Sequence, residues 1–205
     1  MSKVQWKGSA LLGPVPPALV TCGTLENPNV CTVAWCGIVN SKPPRTYISL
    51  RPSRHSHQLI TSSGEFVIAL PTTQLVKTID YCGVKSGRDE NKFETCKLTP
   101  QAATTISAPL IEQSPVCLEC RVFQTISLGS HDMFLADIVA VNVEENLLDA
   151  SGRLMLEKAG LAAYAHGSYF ALGNKLGTFG YSVRKKPKPG AGKDKPPLTR
   201  KKTKK

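Results

Sequence analysis

The sequence predicts a mainly β fold, and three observations carry that prediction. Six short runs rich in β-branched and aromatic residues recur between Gly, Pro, Asn and Ser punctuation, and only three stretches carry a helical signal. One long segment, Asn29–Ile60, sets two of the extended runs about a Pro-rich turn. Strands at this spacing with few helices argue for a barrel whose ends are plugged by helices, because closure removes exposed strand edges. A two-sheet sandwich is the other arrangement open to the same pattern.

Taken in order, the extended runs are Ala18–Leu25, Val30–Val39, Arg45–Leu50, Glu65–Leu70, Val116–Leu128 and Met133–Val143. Asn40, Ser41, Pro43 and Pro44 supply turn chemistry between the second and third runs, so those two strands should be neighbours in one sheet. Helices are predicted over Ser53–Ser62, which follows Pro52, over Thr73–Tyr81, where Leu75, Val76 and Ile79 share a face, and over Glu90–Cys96.

The chain has 205 residues with 41% hydrophobic and 20% charged, a size and composition suited to one domain with its own core. No apolar run approaches the roughly 20 residues of a membrane-spanning helix. The opening MSKVQWKGSALLGPVPP lacks the apolar core of a secretory signal, so a cytoplasmic location is expected. Seven cysteines then read as reduced thiols, mostly small core side chains, with no structural disulfide expected.

The formal charge of +11 is uneven. From Arg184 to Lys205 eleven Lys or Arg face Asp194 alone, a net +10, which leaves 11 − 10 = +1 for the body. The segment 185–205 combines Lys, Pro and Gly with a single Leu and is expected to be a disordered basic tail appended to a folded body over 1–184. Such a tail can contact acidic partners or nucleic acid through charge, without sequence specificity.

Three places could carry chemistry. Arg51-Pro52-Ser53-Arg54-His55-Ser56 is a basic, hydroxyl-rich loop at a helix start, where backbone N–H groups and two guanidinium forks suit an anion. Taken alone, it reads slightly better as a helix capped by Ser53 or Ser56 with solvated arginines. Tyr81–Phe93 joins small residues to Arg88, Asp89 and Lys92, and by itself reads as a surface loop. Gly129-Ser130-His131 forms a turn between two strands, from which a histidine could reach a ligand or simply meet solvent.

Two other classes are excluded or set aside. Cys117 and Cys120 have the spacing of half a zinc site but lie in a strand, where residues three apart point to opposite faces, and no second pair completes a site. No GxGxxG fingerprint or Walker A motif is present, so a dinucleotide or P-loop domain has no support.

Order and spacing together resemble the flavin reductase-like, FMN-binding split-barrel family, and its flavoredoxin branch most closely. The likeness is carried by Thr32-Val33-Ala34-Trp35, Pro43-Pro44, Ile48-Ser49-Leu50-Arg51-Pro52-Ser53-Arg54, Ser86-Gly87-Arg88-Asp89-Glu90-Asn91-Lys92-Phe93, Leu118-Glu119-Cys120 and Gly129-Ser130-His131. Ser56 stands where a threonine is usual, and the Lys-rich tail is not part of the pattern.

The resemblance implies a split β-barrel with a few short helices and non-covalent FMN. Asn29, Thr32 and Trp35 would line the flavin ring and ribityl chain, with Ala34 and Ser49 beside them. Arg51, Ser53, Arg54 and Ser56 would surround the phosphate with Lys92 as a further cation, and Tyr164 would form an aromatic wall. His131 is the implied catalytic residue, near the flavin and a transient NAD(P)H donor. The implied activity is an NAD(P)H-dependent flavin reductase; an electron carrier that keeps its FMN and trades electrons with a redox partner protein uses the same residues. A homodimer is expected on the same ground.

Overall fold

The computed structural model describes residues 1–184. The expected tail, 185–205, lies outside the described residues. Met1–Gly173 forms one compact unit, and residues 174–184 belong to a separate one that carries a 3₁₀ turn at Tyr181–Val183.

The compact unit is built on a seven-stranded antiparallel sheet, so the fold is mainly β as the strand runs predict. Its strands are β1 (Ala18–Gly23), β2 (Pro28–Val33), β3 (Cys36–Ser41), β4 (Pro44–Leu50), β5 (Glu65–Leu70), β8 (Val116–Ser127) and β9 (Asp132–Val143), in the order β2-β1-β5-β8-β9-β4-β3. Two small ribbons flank them: β6 (Pro100–Gln101) with β7 (Leu110–Ile111), and β10 (Ala162–Ala165) with β11 (Ser168–Ala171). The helices are α1 (His55–Ser63), α2 (Val76–Val84) and α3 (Lys92–Thr95), close to the three predicted.

The sequence-based strand Val30–Val39 divides in two. Residues 34–35 break it, and β2 and β3, though consecutive in the chain, occupy opposite ends of the sheet order. The run of β-formers hides this corner, because propensity reports strand character and not which partner each half finds. At the corner the Ser49 N–H donates to the Trp35 carbonyl at 2.9 Å, which carries the β3–β4 pairing one step beyond Cys36 and Ile48.

The inner strand β1, between β2 and β5, explains the core. Ala18, Val20 and Cys22 pack into one buried cluster with Phe66, Ile48, Phe134 and Cys120, while Leu19 faces a second cluster with Val67, Ile79, Phe93 and Cys117. With both faces covered, the strand reads as a continuous apolar run instead of an alternating one. Cys117 and Cys120 thus fall on opposite faces of β8, as the strand period requires. Ile60 and Leu59 of α1 enter the first cluster, so this helix plugs the barrel; it ends at Gly64, whose φ of 68° is the left-handed conformation that glycine adopts without a Cβ penalty.

Candidate functional site

Two cavities meet at the start of α1. The first, about 440 Å³, is lined by the loop after β4 (Arg51, Ser53, Arg54, His55, Ser56), by Cys31 on β2, and by Lys85, Ser86, Gly87, Arg88, Asp89 and Lys92 from the turn between α2 and α3. The second, about 170 Å³, is lined by Thr32 and Val33 at the end of β2, the Ala34-Trp35 corner, Ser49, Leu50 and Arg51 at the end of β4, Arg54, and His131. Arg51 and Arg54 line both, so the two cavities form one elongated site.

The ends differ in chemistry. Around the first cavity Arg51, Arg54, Lys85, Arg88 and Lys92 oppose a single carboxylate, Asp89. Lys92 is 4% exposed, and its Nζ donates to the carbonyls of Cys82 at 3.3 Å and Lys85 at 3.1 Å. An ammonium has three donors and is expensive to bury without a counter-charge, so this arrangement favours an anion in the cavity. The Arg88 guanidinium is aimed by its donation to the Ser53 carbonyl at 2.9 Å.

His55 lies between these cations. Burial first, and then the Arg88 and Lys92 charges, push its pKa down; its buried Nδ1 has no hydrogen-bond partner among the described residues. The second cavity is an aromatic wall. Trp35, 46% exposed, stacks on His131 with ring centroids 4.5 Å apart at 42°. Burial and then the Arg51 charge lower the His131 pKa. Its Nδ1 is 3.0 Å from the Ser130 hydroxyl.

A half-buried hydrogen bond ties α1 to the start of β9: His57 of α1 and Asp132, which follows His131, meet at 2.8 Å, with the His57 ring edge on Phe134. Hydrogen bonding to His57 lowers the Asp132 pKa.

Most of the residues singled out in the sequence come together. Ser53, Ser56 and Lys92 are in the first cavity, Thr32, Ala34, Trp35, Ser49 and His131 in the second, and Arg51 and Arg54 in both. Asn29 and Tyr164 are elsewhere. Asn29 lines an adjoining cavity that shares His55, Gly87, Arg88 and Asp89 with the first, and its Nδ2 donates to the Ser56 hydroxyl at 2.8 Å. Tyr164 lies on β10, bridged to Val15 and paired with the Tyr169 ring, because β10 and β11 form a ribbon apart from the main sheet.

Sequence reasoning missed His55 and did not promote Lys85, Ser86, Gly87, Arg88 or Asp89 from a motif to a wall. One signal was present in the sequence, His55 standing between Arg54 and Ser56; that a Cβ at Gly87 would stand 2.0 Å from the Asn29 side-chain oxygen is visible only in the structure.

The match to known proteins covers the compact unit. The family model described as "Flavin reductase like domain" matches residues 13–173. The chain belongs to the flavin reductase-like family. A relative from Archaeoglobus fulgidus, itself called an uncharacterized protein, is 35% identical over 130 residues, 63% of this chain and 73% of its own length. Among solved structures, the flavoredoxin of Desulfovibrio vulgaris (Miyazaki F) is 30% identical with a TM-score of 0.83, covering 89% of this chain and 100% of that one. An FMN-binding protein from Thermus thermophilus, solved with bound 1-cyclohex-2-enone, is 26% identical with a TM-score of 0.72 and covers 87% and 99%. The split barrel of this family is therefore the fold of this chain.

Proposed function

We propose that the chain is an FMN-binding oxidoreductase, and specifically an NAD(P)H-dependent flavin reductase. The observation that carries this is the buried Lys92 ammonium, which meets carbonyls and lines a cavity ringed by Arg51, Arg54, Lys85 and Arg88, continuous with an aromatic second cavity. A phosphomonoester dianion joined to a flat, largely apolar ring matches that pairing of ends. Arg51, Arg54, Ser53 and Lys92 hold the phosphate, with Ser56 kept in place by Asn29. Trp35, Ala34 and Thr32 wall the ring.

FMN, when bound, supplies the redox chemistry, taking up a hydride equivalent and passing electrons on. The protein's part is positioning. His131 orients the nicotinamide beside the ring, and burial and then the Arg51 charge lower its pKa, disfavouring a further positive charge in a site already cationic at the other end. NADH or NADPH is the transient donor in this reading.

A second reading is an electron carrier that retains FMN for a protein partner, favoured by the likeness to the whole length of a flavoredoxin. Apolar side chains left at the sheet surface, Ile38 and Val39 on β3 and Val141 on β9, support a homodimer, which light scattering tests as a doubled mass. No described helix is long and apolar enough to cross a membrane, and seven free thiols suit a reducing, cytoplasmic setting.

The deciding experiment adds NADH or NADPH anaerobically to the FMN-loaded chain. Catalytic bleaching of the flavin absorbance supports the reductase. Bound FMN that is reduced by dithionite but not by either nucleotide overturns it in favour of the carrier.

A further inference from the structure

Cys82 lies on α2 and Cys96 caps α3, and their sulfurs are 4.0 Å apart. Between them in sequence stand Lys85, Ser86, Gly87, Arg88, Asp89 and Lys92, half of the residues that line the anion cavity. The two thiols therefore sit at the foot of the loop that forms one wall. Lys92 is tied to that foot directly, since its Nζ donates to the carbonyl of Cys82. Cys82 is buried and Cys96 half-buried, so solvent reaches the pair through Cys96.

We propose that Cys82 and Cys96 form a redox-controlled disulfide that staples the 85–92 wall and tightens the cavity's hold on a phosphate-bearing flavin. The affinity half of this statement rests on the flavin reading given above; the disulfide does not. A disulfide needs the sulfurs to close to about 2 Å. The oxidant is a low-molecular-weight disulfide of the glutathione class. Cys96, as thiolate, attacks one of its sulfurs and releases one small thiol, leaving a mixed disulfide at Cys96. Cys82, after losing its proton to solvent, attacks the Cys96 sulfur and expels the second small thiol. Two protein thiols are oxidised and one external disulfide is reduced to two thiols.

Burial first, then the neighbouring Cys96 charge, push the Cys82 thiol up to about 12, and burial raises Cys96 too. The reduced pair therefore persists at neutral pH and exchanges faster as pH rises. Once formed, the bridge closes a short loop around the cavity wall, so the wall loses less freedom when an anion binds.

The test incubates the full chain with oxidised glutathione at mildly alkaline pH, alkylates the remaining thiols and maps the peptides, then measures FMN affinity with and without dithiothreitol. The expected result is a Cys82–Cys96 linked peptide and a roughly three- to tenfold lower FMN Kd, reversed by dithiothreitol and absent in Cys96→Ser. Recovery of Cys82 alkylated, or of glutathione retained on Cys96, overturns the disulfide. A linked chain with unchanged or weaker FMN affinity overturns the staple. If the reduced chain binds no FMN, the flavin reading and the affinity half fall together, while the peptide map still decides the bridge.

Discussion

Glu119 and Lys92 are both buried charges in this barrel, and they are treated in opposite ways. Glu119, 0% exposed on β8, accepts from the N–H and hydroxyl of Thr104, the N–H and hydroxyl of Thr105, and the Asn142 amide, all at 2.7–2.8 Å. Burial acts to raise its pKa, but the Thr105, Thr104 and Asn142 donors outweigh it and hold the group at about 2. Lys92, 4% exposed, meets two carbonyls and, among the described residues, no carboxylate. A charge whose hydrogen bonds are complete belongs to the framework, whereas one left with capacity beside a cavity points to a ligand.

The sharpest way to break that contrast is at Glu119. Replacing it with Gln puts an amide N–H against backbone and hydroxyl donors and should cost about 3 kcal/mol of stability, read as a lower urea midpoint, because a buried network loses its acceptor. The same group predicts a pH effect. Its folded pKa is depressed from 4.5 to about 2, so its contribution is fully present above pH 4.5 and is lost as pH falls toward 2. The wild type should lose stability across that window more steeply than Glu119→Gln; equal slopes would contradict the assignment.

Lys92→Met should do the reverse. Removing a buried ammonium without a carboxylate partner leaves the melting temperature unchanged or raised, while FMN binding weakens about 10- to 100-fold, the worth of a hydrogen bond to a charged group. A large loss of stability with normal FMN affinity would make Lys92 a framework residue like Glu119.

Gly87→Ala sits between the two cases. The added Cβ meets the Asn29 side-chain oxygen at 2.0 Å, and Asn29 holds Ser56, so both folding and anion binding should suffer, with stability down by about 2 kcal/mol in thermal denaturation. The smallest stability effect is expected at His131→Ala, within about 0.5 kcal/mol because the ring is partly exposed and surface changes are mild. There the turnover with NADH or NADPH falls while FMN affinity holds, which steady-state kinetics and flavin titration separate.

How much of this was legible in the sequence follows the range of the interactions. The hairpin of β3 and β4 and the plugging helix α1 are local events, written in Pro43, Pro44 and the Pro52 boundary, and they appear where expected. The corner at Ala34-Trp35 was not, because a continuous run of β-formers hides a change of sheet edge. The basic and hydroxyl side chains of residues 51–56 could be read as an anion loop, since their chemistry is local. The burial of Lys92 could not, as it depends on α2 and α3 folding the Cys82 and Lys85 carbonyls around it. Nor does the sequence show that Asn29 opens onto an adjoining cavity while Tyr164 sits on the separate β10–β11 ribbon, since both placements depend on long-range packing.

The central claim is that the Arg51, Arg54 and Lys92 cavity holds a flavin phosphate, and an FMN titration tests it most directly, followed by quenching of flavin fluorescence, with riboflavin as the ring lacking the phosphate. The account predicts saturable FMN binding near one per chain, with riboflavin at least tenfold weaker and Lys92→Met erasing most of that difference. Equal affinity for FMN and riboflavin, or no binding of either, would contradict it.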